Sequence, residues 1–359
     1  MMGYAVWIVL AMLPLAAAWL SLDSGLPAPR RRRLWWSLAT VAAVVLLGAP
    51  HVVSFSQQEL LVFLVINALM VASYRLLALT GEFSLAQVVI MGVGAYATAL
   101  ISKNLGVPIP LSMLLGAAVA ALVAYVLSFP LFRMKGFYFL IGSFAAGEAI
   151  RLTWKRFQDP FGGPKGITRI PGLPDVHLGP VELFFYEPVT YYYFALVVVG
   201  IALLVLWRIE RSRIGLTFHA VHWQDQLASA VGVNTWRTRT LAFVVASFFA
   251  GLAGTLLAHY LTAVNPNRFD VGEMVVVLIW VIVGGTATLW GPLIGLIVLT
   301  AINEVVLRDL GAGELRPFFY GLILVLAMLF LPGGLETLPG RAAGLLRRRR
   351  GGNASQPAE

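Results

Sequence analysis

The 359-residue chain contains no cysteine, and only 12% of its residues are charged. Without thiol groups, neither disulfide bonds nor thiolate metal sites can form. Hydrophobic residues make up 59% of the chain, and its mean hydropathy is +0.83. A water-soluble domain cannot bury so much apolar surface, so this composition excludes one. It indicates a polypeptide that crosses a membrane many times.

Several patterns that carry chemistry are also missing. The sequence has no Walker A motif for nucleotide phosphates, no histidine and carboxylate set with metal-ligand spacing, and no supported Ser, His and Asp grouping. We therefore expect no catalytic residue, no metal and no cofactor in this chain, and the sequence does not indicate an enzyme. The net charge of +9 does not indicate nucleic-acid binding, because the basic residues stand at the ends of apolar runs and in short loops.

Long apolar runs dominate what is present. Their number favours helical spans over a β-barrel, so the predicted fold is an all-α polytopic membrane protein with about 10 or 11 transmembrane segments. The apolar segments are 4–22, 34–50, 58–79, 85–101, 108–131, 137–153, 190–207, 239–262, 272–286, 290–306 and 317–331. The first lacks the basic flank of a cleaved signal peptide, which predicts a retained span. Glycines in two segments predict broken or re-entrant structure: Gly92 and Gly94, and Gly284 and Gly285.

The distribution of lysine and arginine predicts the orientation of these segments. With Arg347–Arg350 in the cytoplasm, 17 basic residues fall on the inner side and 9 on the outer side. This bias follows the positive-inside rule, so we expect the N-terminus outside and the C-terminus inside. Five segments precede the loop 154–189 and five follow it, apart from one extra N-terminal span. That parity gives the halves opposite orientations and predicts a five-plus-five inverted repeat.

The predicted domains follow from this map. Residues 1–33 form an extra span and a basic loop, residues 34–335 form the transmembrane domain, and residues 336–359 form a basic, partly disordered cytoplasmic tail. The external loop 154–189 contains six prolines, which favours a compact, turn-rich structure. It is either a cap on which an external partner rests or a passive connector.

A polar, basic segment at 208–239 interrupts the apolar runs. Apolar residues recur in it at helical spacing: Leu216, Ala220, Trp223, Leu227 and Val231. This spacing predicts one amphipathic helix from Leu216, with Phe218 projecting from the opposite, polar face. The flanking arginines place the segment in the cytoplasm. Such a helix either docks to a soluble partner or lies on lipid headgroups.

Polar groups beside or within the apolar segments are functional candidates. Glu148 and Arg151 share one helical face, which predicts a structural ion pair. The loop 79–87 contains Glu82 and Ser84 and ends at Gln87. These groups either line a path through the membrane or only cap the next helix.

Five stretches of sequence have a recognisable order. They are Gly81–Gln87 with Gly92–Tyr96, Lys135–Phe139 with Gly147–Arg151, Gly162–Pro171, Ser212–Gly215 with Ala228–Asn234 and Ala242–Gly254, and Gly284–Pro292 with Leu331–Leu335. Together they resemble the permease subunits of branched-chain amino acid ABC importers of the LivM type. The resemblance covers roughly residues 75–335.

This resemblance implies an inner-membrane subunit with several partners. They are two cytoplasmic ABC ATPases, which would bind the ATP, a second homologous permease, and a periplasmic or lipid-anchored solute-binding protein. It also implies that 208–239 couples the permease to an ATPase. The implied coupling residues are Gly215, Phe218, Ala220, His222, Asp225 and Gly232, and those of the translocation path are Ser84, Gln87 and Tyr96.

The chain departs from the family pattern at positions that bear on the cargo. Glu82, Ala86 and Gln87 stand where the family has Gln, Gly and His. His222 and Asp225-Gln226 stand where it has Arg followed by a carboxylate, so the charge of the ATPase contact differs. The expected solute is a branched-chain or other amino acid, and the alternatives are urea, another amide or a small acid. A secondary transporter driven by an ion gradient is a further alternative.

Overall fold

The structure is a computed structural model that describes residues 10, 12–17, 28–174, 176–178, 181–183, 185, 187–303, 316–331 and 333–338. Twelve α-helices have bounds within these ranges: α1 Ala28–Val52, α2 Phe55–Ala78, α3 Gln87–Leu105, α4 Ile109–Leu131, α5 Phe137–Arg156, α6 Pro188–Glu210, α7 Arg213–Trp223, α8 Asp225–Ala230, α9 Thr235–Leu261, α10 Val271–Gly284, α11 Trp290–Ile302 and α12 Arg316–Phe330. Each predicted apolar segment from 34 to 331 coincides with one of them. The segment 4–22 and the tail lie largely outside the described residues.

Five of these helices are long and apolar enough to cross a membrane: α2, α3, α4, α6 and α9. Lipid tails cannot form hydrogen bonds with the backbone, and a helix satisfies its backbone groups internally. The helix α5 has 20 residues but carries Glu148, Arg151, Lys155 and Arg156, so it is less apolar. The helices α10 and α11 have 14 and 13 residues, which is shorter than the roughly 20 residues of a full span. The prediction of an all-α polytopic membrane protein is confirmed.

The chain forms two compact units. One comprises Val53–Leu278, and the other comprises Met1–Val52 with Ile279–Glu359. In the first unit, α9 is the central helix and packs against α2, α3 and α4. Its residues from Ala242 to His259 are mostly buried.

Glycines let α3 and α9 approach each other closely. A Cβ atom on Gly94 would collide with the backbone of Gly251, and one on Gly254 would collide with the carbonyl of Met91. The prediction that Gly92 and Gly94 break their segment is therefore wrong, since α3 runs unbroken from Gln87 to Leu105. These glycines provide space for neighbouring helices and side chains. Gly92, for example, lies under the ring of Trp154.

The contact at Gly94 gives a test of this packing. We expect Gly94→Val to separate α3 from α9 and to destabilise the protein by about 1–3 kcal/mol or more, because the collision is with backbone atoms. Thermal unfolding in detergent, followed by tryptophan fluorescence, measures the change. Gly200→Val on α6 is the matched control, since a Cβ atom there meets nothing within 4 Å. Equal unfolding temperatures for the two variants would contradict the described packing.

The loop between α5 and α6 is compact in its described part. Its strand β1 (Ile167–Thr168) pairs antiparallel with β4 (Ala263–Val264), and β2 (Val176–Leu178) pairs with β3 (Val181–Leu183). The Nδ1 atom of His259 lies 2.8 Å from the carbonyl oxygen of Pro171. The loop is thus attached to the end of α9.

In the second unit, a glycine break separates α10 from α11. The helix α10 ends at Gly284, and Gly285 has a φ of +103°, in the region that favours glycine. The buried carboxylate of Glu336 accepts hydrogen bonds from the backbone amides of Ala287 and Thr288, at 2.7 and 2.9 Å. The break predicted at Gly284 and Gly285 is confirmed, and Glu336 attaches the 3-10 turn Leu335–Thr337 to it.

Candidate docking surface and polar seam

The segment between α6 and α9 forms two short helices, which we call the docking helices: α7 (Arg213–Trp223) and α8 (Asp225–Ala230). Gln224 separates them in an extended conformation, with φ −158° and ψ 95°. The prediction of one continuous helix from Leu216 is therefore wrong. Glutamine is a good helix former, so this break has no local sequence signal.

One face of α7 packs against the rest of the first unit (Val53–Leu278), which we call the transmembrane unit. It presents Gly215, Phe218 and Val221, and the side chain of Phe218 is completely buried. The prediction that Phe218 projects outward is thus wrong. Gly215 is the reason, because a Cβ atom there would collide with the backbone of Glu210, so its absence lets α7 fold back onto the end of α6.

The opposite face of the docking helices is apolar and exposed. Four large side chains of the predicted stripe are exposed to solvent. The exposed fraction is 67% for Leu216, 82% for Trp223, 59% for Leu227 and 75% for Val231. An open groove of about 560 Å³ lies along this face, lined by Ala220, Trp223, Gln224, Leu227, Ala228 and Val231. We call these exposed residues and the groove the docking surface. Exposed apolar patches of this kind mark interaction sites.

The remaining predicted coupling residues lie at the borders of this surface. Ala220 lines the groove, and His222 is exposed with its ring against Gly81. Asp225 is half-buried at the start of α8, and Gly232 ends the segment with a φ of +89°. The structure therefore brings Ala220 to the docking surface and places Gly215 and Phe218 on the other side of the helix. The coupling roles of all six residues stay predictions.

The predicted path residues lie inside the transmembrane unit. Ser84, Gln87 and Tyr96 are buried. The hydroxyl of Ser84, both polar atoms of the Gln87 amide and the hydroxyl of Tyr96 have no hydrogen-bond partner among the described residues. The residue that precedes α3 is Ala86, with no side-chain cap, so Ser84 is not a helix cap. Tyr96 stacks on Trp154, with ring centroids 4.5 Å apart.

Two further polar residues, on α9, are missing from the sequence prediction. Thr240 and Ser247 are buried, and their hydroxyls also have no partner among the described residues. The Thr98–His259 and Glu82–Arg239 contacts show that α3 and α9 run in the same direction, which places Gln87 level with Ser247. We call Ser84, Gln87, Thr240 and Ser247 the polar seam. Buried polar groups without protein partners are satisfied by water or by a polar ligand.

A cluster of charges lies between the polar seam and the docking helices. The guanidinium of Arg239 is 3.4 Å from Glu82 and 3.5 Å from Asp225, and Lys135 is 2.6 Å from Asp225. Burial raises the pKa of Glu82, although the charge of Arg239 opposes this. Burial also acts to raise the pKa of Asp225, but the hydrogen bond from Lys135 and the charge of Arg239 outweigh it and lower the pKa. Long-range contacts of this kind have no signal in one sequence.

The predicted ion pair in α5 is confirmed. The guanidinium of Arg151 donates to both carboxylate oxygens of Glu148, with an Nε to Oε2 distance of 2.8 Å. Both members of the pair lie in α5. The pair supports the structural interpretation of these two residues.

A family model and individual relatives identify the same family for this chain. The model of the family described as "Branched-chain amino acid transport system / permease component" matches residues 57–328. The chain is 29% identical to the high-affinity branched-chain amino acid transport system permease protein LivM of Salmonella typhimurium strain LT2 and to LivM of Escherichia coli K12. Each alignment covers 68% of this chain and 61% of the relative. The chain thus spans less than two thirds of these relatives' length.

A third relative is named for a different cargo. The autoinducer 2 import system permease protein LsrC of Enterobacter sp. strain 638 is 28% identical over 79% of this chain and 78% of its own length. No solved structure matches the chain. The family match covers about three quarters of the chain and includes the docking helices and the polar seam. The chain therefore belongs to the family of permease components of branched-chain amino acid transport systems.

Proposed function

We propose that this chain is a permease subunit of an ATP-driven importer, which moves a small polar solute across the bacterial inner membrane. The family match and the relatives named as permeases of transport systems support this proposal. The proposed solute is a branched-chain or other amino acid, after the LivM relatives. Urea, another amide or a small acid is the alternative within the same family, because Glu82 and Gln87 depart from its pattern.

The observation that carries the proposal is the docking surface. Four large apolar side chains exposed on two short helices are unfavourable in water, and a partner that covers them removes that cost. A helix that lays its apolar face in a groove is a common mode of recognition. The proposed partner is a cytoplasmic ABC ATPase.

The complete importer would contain two such ATPases, a second homologous permease, and a periplasmic or lipid-anchored solute-binding protein. The ATPases would bind ATP, and this chain would need no cofactor of its own. The N-terminus would lie outside and the C-terminus in the cytoplasm, as the bias of basic residues predicts. Closure of the ATPases on ATP would move the docking helices, and the movement would change access to the polar seam.

Purification of the chain from its native membrane tests the assembly. We expect a second permease and P-loop ATPases to co-purify. We also expect uptake by proteoliposomes to require ATP on the side of the membrane that the docking surface faces. Recovery of the chain alone, with uptake that needs a proton gradient and persists without ATP, would contradict the proposal. It would favour the secondary transporter, with the docking helices resting on lipid.

Gln87 gives a test of the polar seam. We expect Gln87→Leu to keep or raise the thermal stability, by about 1 kcal/mol, because it replaces a buried amide without partners by an apolar group of similar size. We expect the same variant to change the KM or the maximal rate of uptake. Gln58→Leu on α2 is a control amide change near the other end of the transmembrane unit. Unchanged kinetics together with lower stability would show that Gln87 is only structural.

A further inference from the structure

Two contacts join the docking helices to the loop between α2 and α3 (residues 79–86), and a third joins α2 to α6, the helix before α7. At the end of α6, Glu210 accepts two hydrogen bonds of 2.7 Å from the guanidinium of Arg75, at the end of α2. At the end of α7, the ring of His222 lies against Gly81, where a Cβ atom would be 3.0 Å from Nδ1. At the start of α8, Asp225 faces Arg239, which in turn faces Glu82. The docking helices therefore rest on the loop that leads into the polar seam.

The two arginines in this connection pair with different geometry. The pair between Arg75 and Glu210 is bidentate and short, so it fixes the end of α6 to α2. Arg239, in contrast, lies between two carboxylates. Its Nη1 atom is 3.4 Å from Oε1 of Glu82, and its Nη2 atom is 3.5 Å from Oδ2 of Asp225. Neither distance is a strong hydrogen bond, so neither carboxylate holds the guanidinium tightly.

Some polar atoms of this charge cluster lack hydrogen-bond partners among the described residues. Glu82 and Arg239 are both buried, and neither Oε2 of Glu82 nor Nε of Arg239 has a hydrogen-bond partner among the described residues. The Oδ2 atom of Asp225 already accepts a 2.6 Å hydrogen bond from Lys135. A buried charge with weak pairing is unfavourable, and a tighter contact with one carboxylate would relieve part of that cost.

Arg239 has two alternative ways to relieve it. A guanidinium binds a carboxylate best through two parallel N–H groups at about 2.8 Å, and a shift of roughly 0.6 Å reaches that distance from here. Full engagement with one carboxylate uses both nitrogens and withdraws them from the other. The two engagements therefore exclude each other: the docking helices would hold Arg239 in one, and the loop would hold it in the other.

We propose that Arg239 is a positioning residue that transmits movement of the docking helices to the polar seam by exchanging between Asp225 and Glu82. The inference rests on the proposed function, since an ATPase must move the docking helices. When α8 approaches α9, Asp225 takes the guanidinium and releases Glu82. The released loop carries Ser84 and leads into Gln87, the first residue of α3, so its movement changes the seam.

The charge of Glu82 is unfavourable in the folded protein, which helps the test. Burial raises the pKa of this carboxyl, so the folded state disfavours its ionised form. This cost is absent well below the ordinary pKa of glutamate, grows as the pH rises from that pKa to the raised one, and is constant above it. Replacing Glu82 by Gln removes the cost. Glu82→Gln is therefore expected to fold at neutral pH with at least the stability of the unmodified protein.

The experiment compares ATP use with uptake in the assembled importer. For Glu82→Gln we expect the ATPase to co-purify as before, while the number of ATP molecules hydrolysed per solute taken up rises at least about threefold. Arg239→Lys keeps the charge but loses the fork, so we expect the same uncoupling from it. Glu148→Gln is the matched control, since its carboxylate pairs within α5 and touches no docking helix. It is expected to leave the ratio unchanged.

The outcomes separate this inference from the proposed function. If the unmodified chain binds no ATPase, the proposed function fails. If Glu82→Gln and Arg239→Lys both keep the ATPase and the unmodified ratio, the exchange at Arg239 is wrong. If both variants lose the assembled complex while the unmodified chain keeps it, the cluster is a static brace, which also overturns the exchange.

Discussion

Replacing Trp223 by Asp is expected to release the proposed ATPase partner and to abolish the proposed ATP-driven uptake. Trp223 is the most exposed of the four large apolar side chains on the docking surface, and it lines the groove. Tryptophan often supplies a large share of the binding energy at interfaces, about 2 kcal/mol or more on truncation, which corresponds to roughly 30-fold weaker binding. A carboxylate in place of the ring adds the cost of burying a charge. Co-purification and proteoliposome uptake measure the two effects.

Two matched changes control this prediction. Trp223→Phe keeps an aromatic ring and should retain most of the binding. Ser229→Asp adds the same charge to an exposed position of α8 that does not line the groove, and it should have a small effect. Because Trp223 is exposed, the thermal stability of the isolated chain should change little. Normal ATPase binding by Trp223→Asp would show that the surface rests on lipid or is free.

Replacing Phe218 by Asp is expected to have the opposite pattern, with loss of the folded chain itself. Phe218 has no exposed surface and packs between α7 and the transmembrane unit. Removing a buried phenylalanine costs about 3–5 kcal/mol, and an unpaired buried carboxylate adds to that cost. Low yield and a lower unfolding temperature in detergent should therefore precede any defect in coupling. Phe218→Leu, which keeps an apolar side chain, should lose much less stability.

The comparison of Phe218 with Trp223 distinguishes the two faces of α7. A stable Phe218→Asp variant that assembles poorly with the ATPase would mean that Phe218 reaches the partner, and that the described burial is wrong. An unstable Trp223→Asp variant would mean that Trp223 belongs to the interior of this chain. The structure agrees only with one pattern: Phe218→Asp lowers the stability of the chain, and Trp223→Asp weakens ATPase binding.

The transmembrane helices follow closely from the sequence because membrane insertion requires long apolar runs. The runs 58–79 and 108–131, for example, became α2 and α4 with bounds that differ by at most three residues. The glycines were harder to interpret. Gly285 ends a helix and Gly94 allows two helices to touch, and only the neighbouring backbone distinguishes these roles.

The residues of the docking surface were predictable from the sequence, but which face of α7 contacts the rest of the chain was not. The spacing of Leu216, Trp223 and Leu227 correctly predicted an apolar stripe, but the same pattern wrongly placed Phe218 on the outward face. Gly215 explains the direction, because without a Cβ atom it lets the face that also carries Phe218 approach the backbone of Glu210. The polar seam was found in part. A polar residue at the start of a span, such as Gln87, is a recognisable functional candidate. A serine within an apolar run, such as Ser247, is not, because serine is common in packed membrane helices.

Cross-linking through a single cysteine tests the central claim most directly, namely that the docking surface binds an ATPase. The chain has no native cysteine, so a thiol-reactive photocross-linker placed on Leu227→Cys labels one position. Leu227 lines the groove, and Ser229→Cys provides an exposed control two residues along the same helix that does not line it. In native membranes, we expect Leu227→Cys to yield a product that contains a P-loop ATPase, and Ser229→Cys to yield much less. Lipid adducts alone at Leu227, or equal ATPase cross-linking at both positions, would contradict the proposed docking surface.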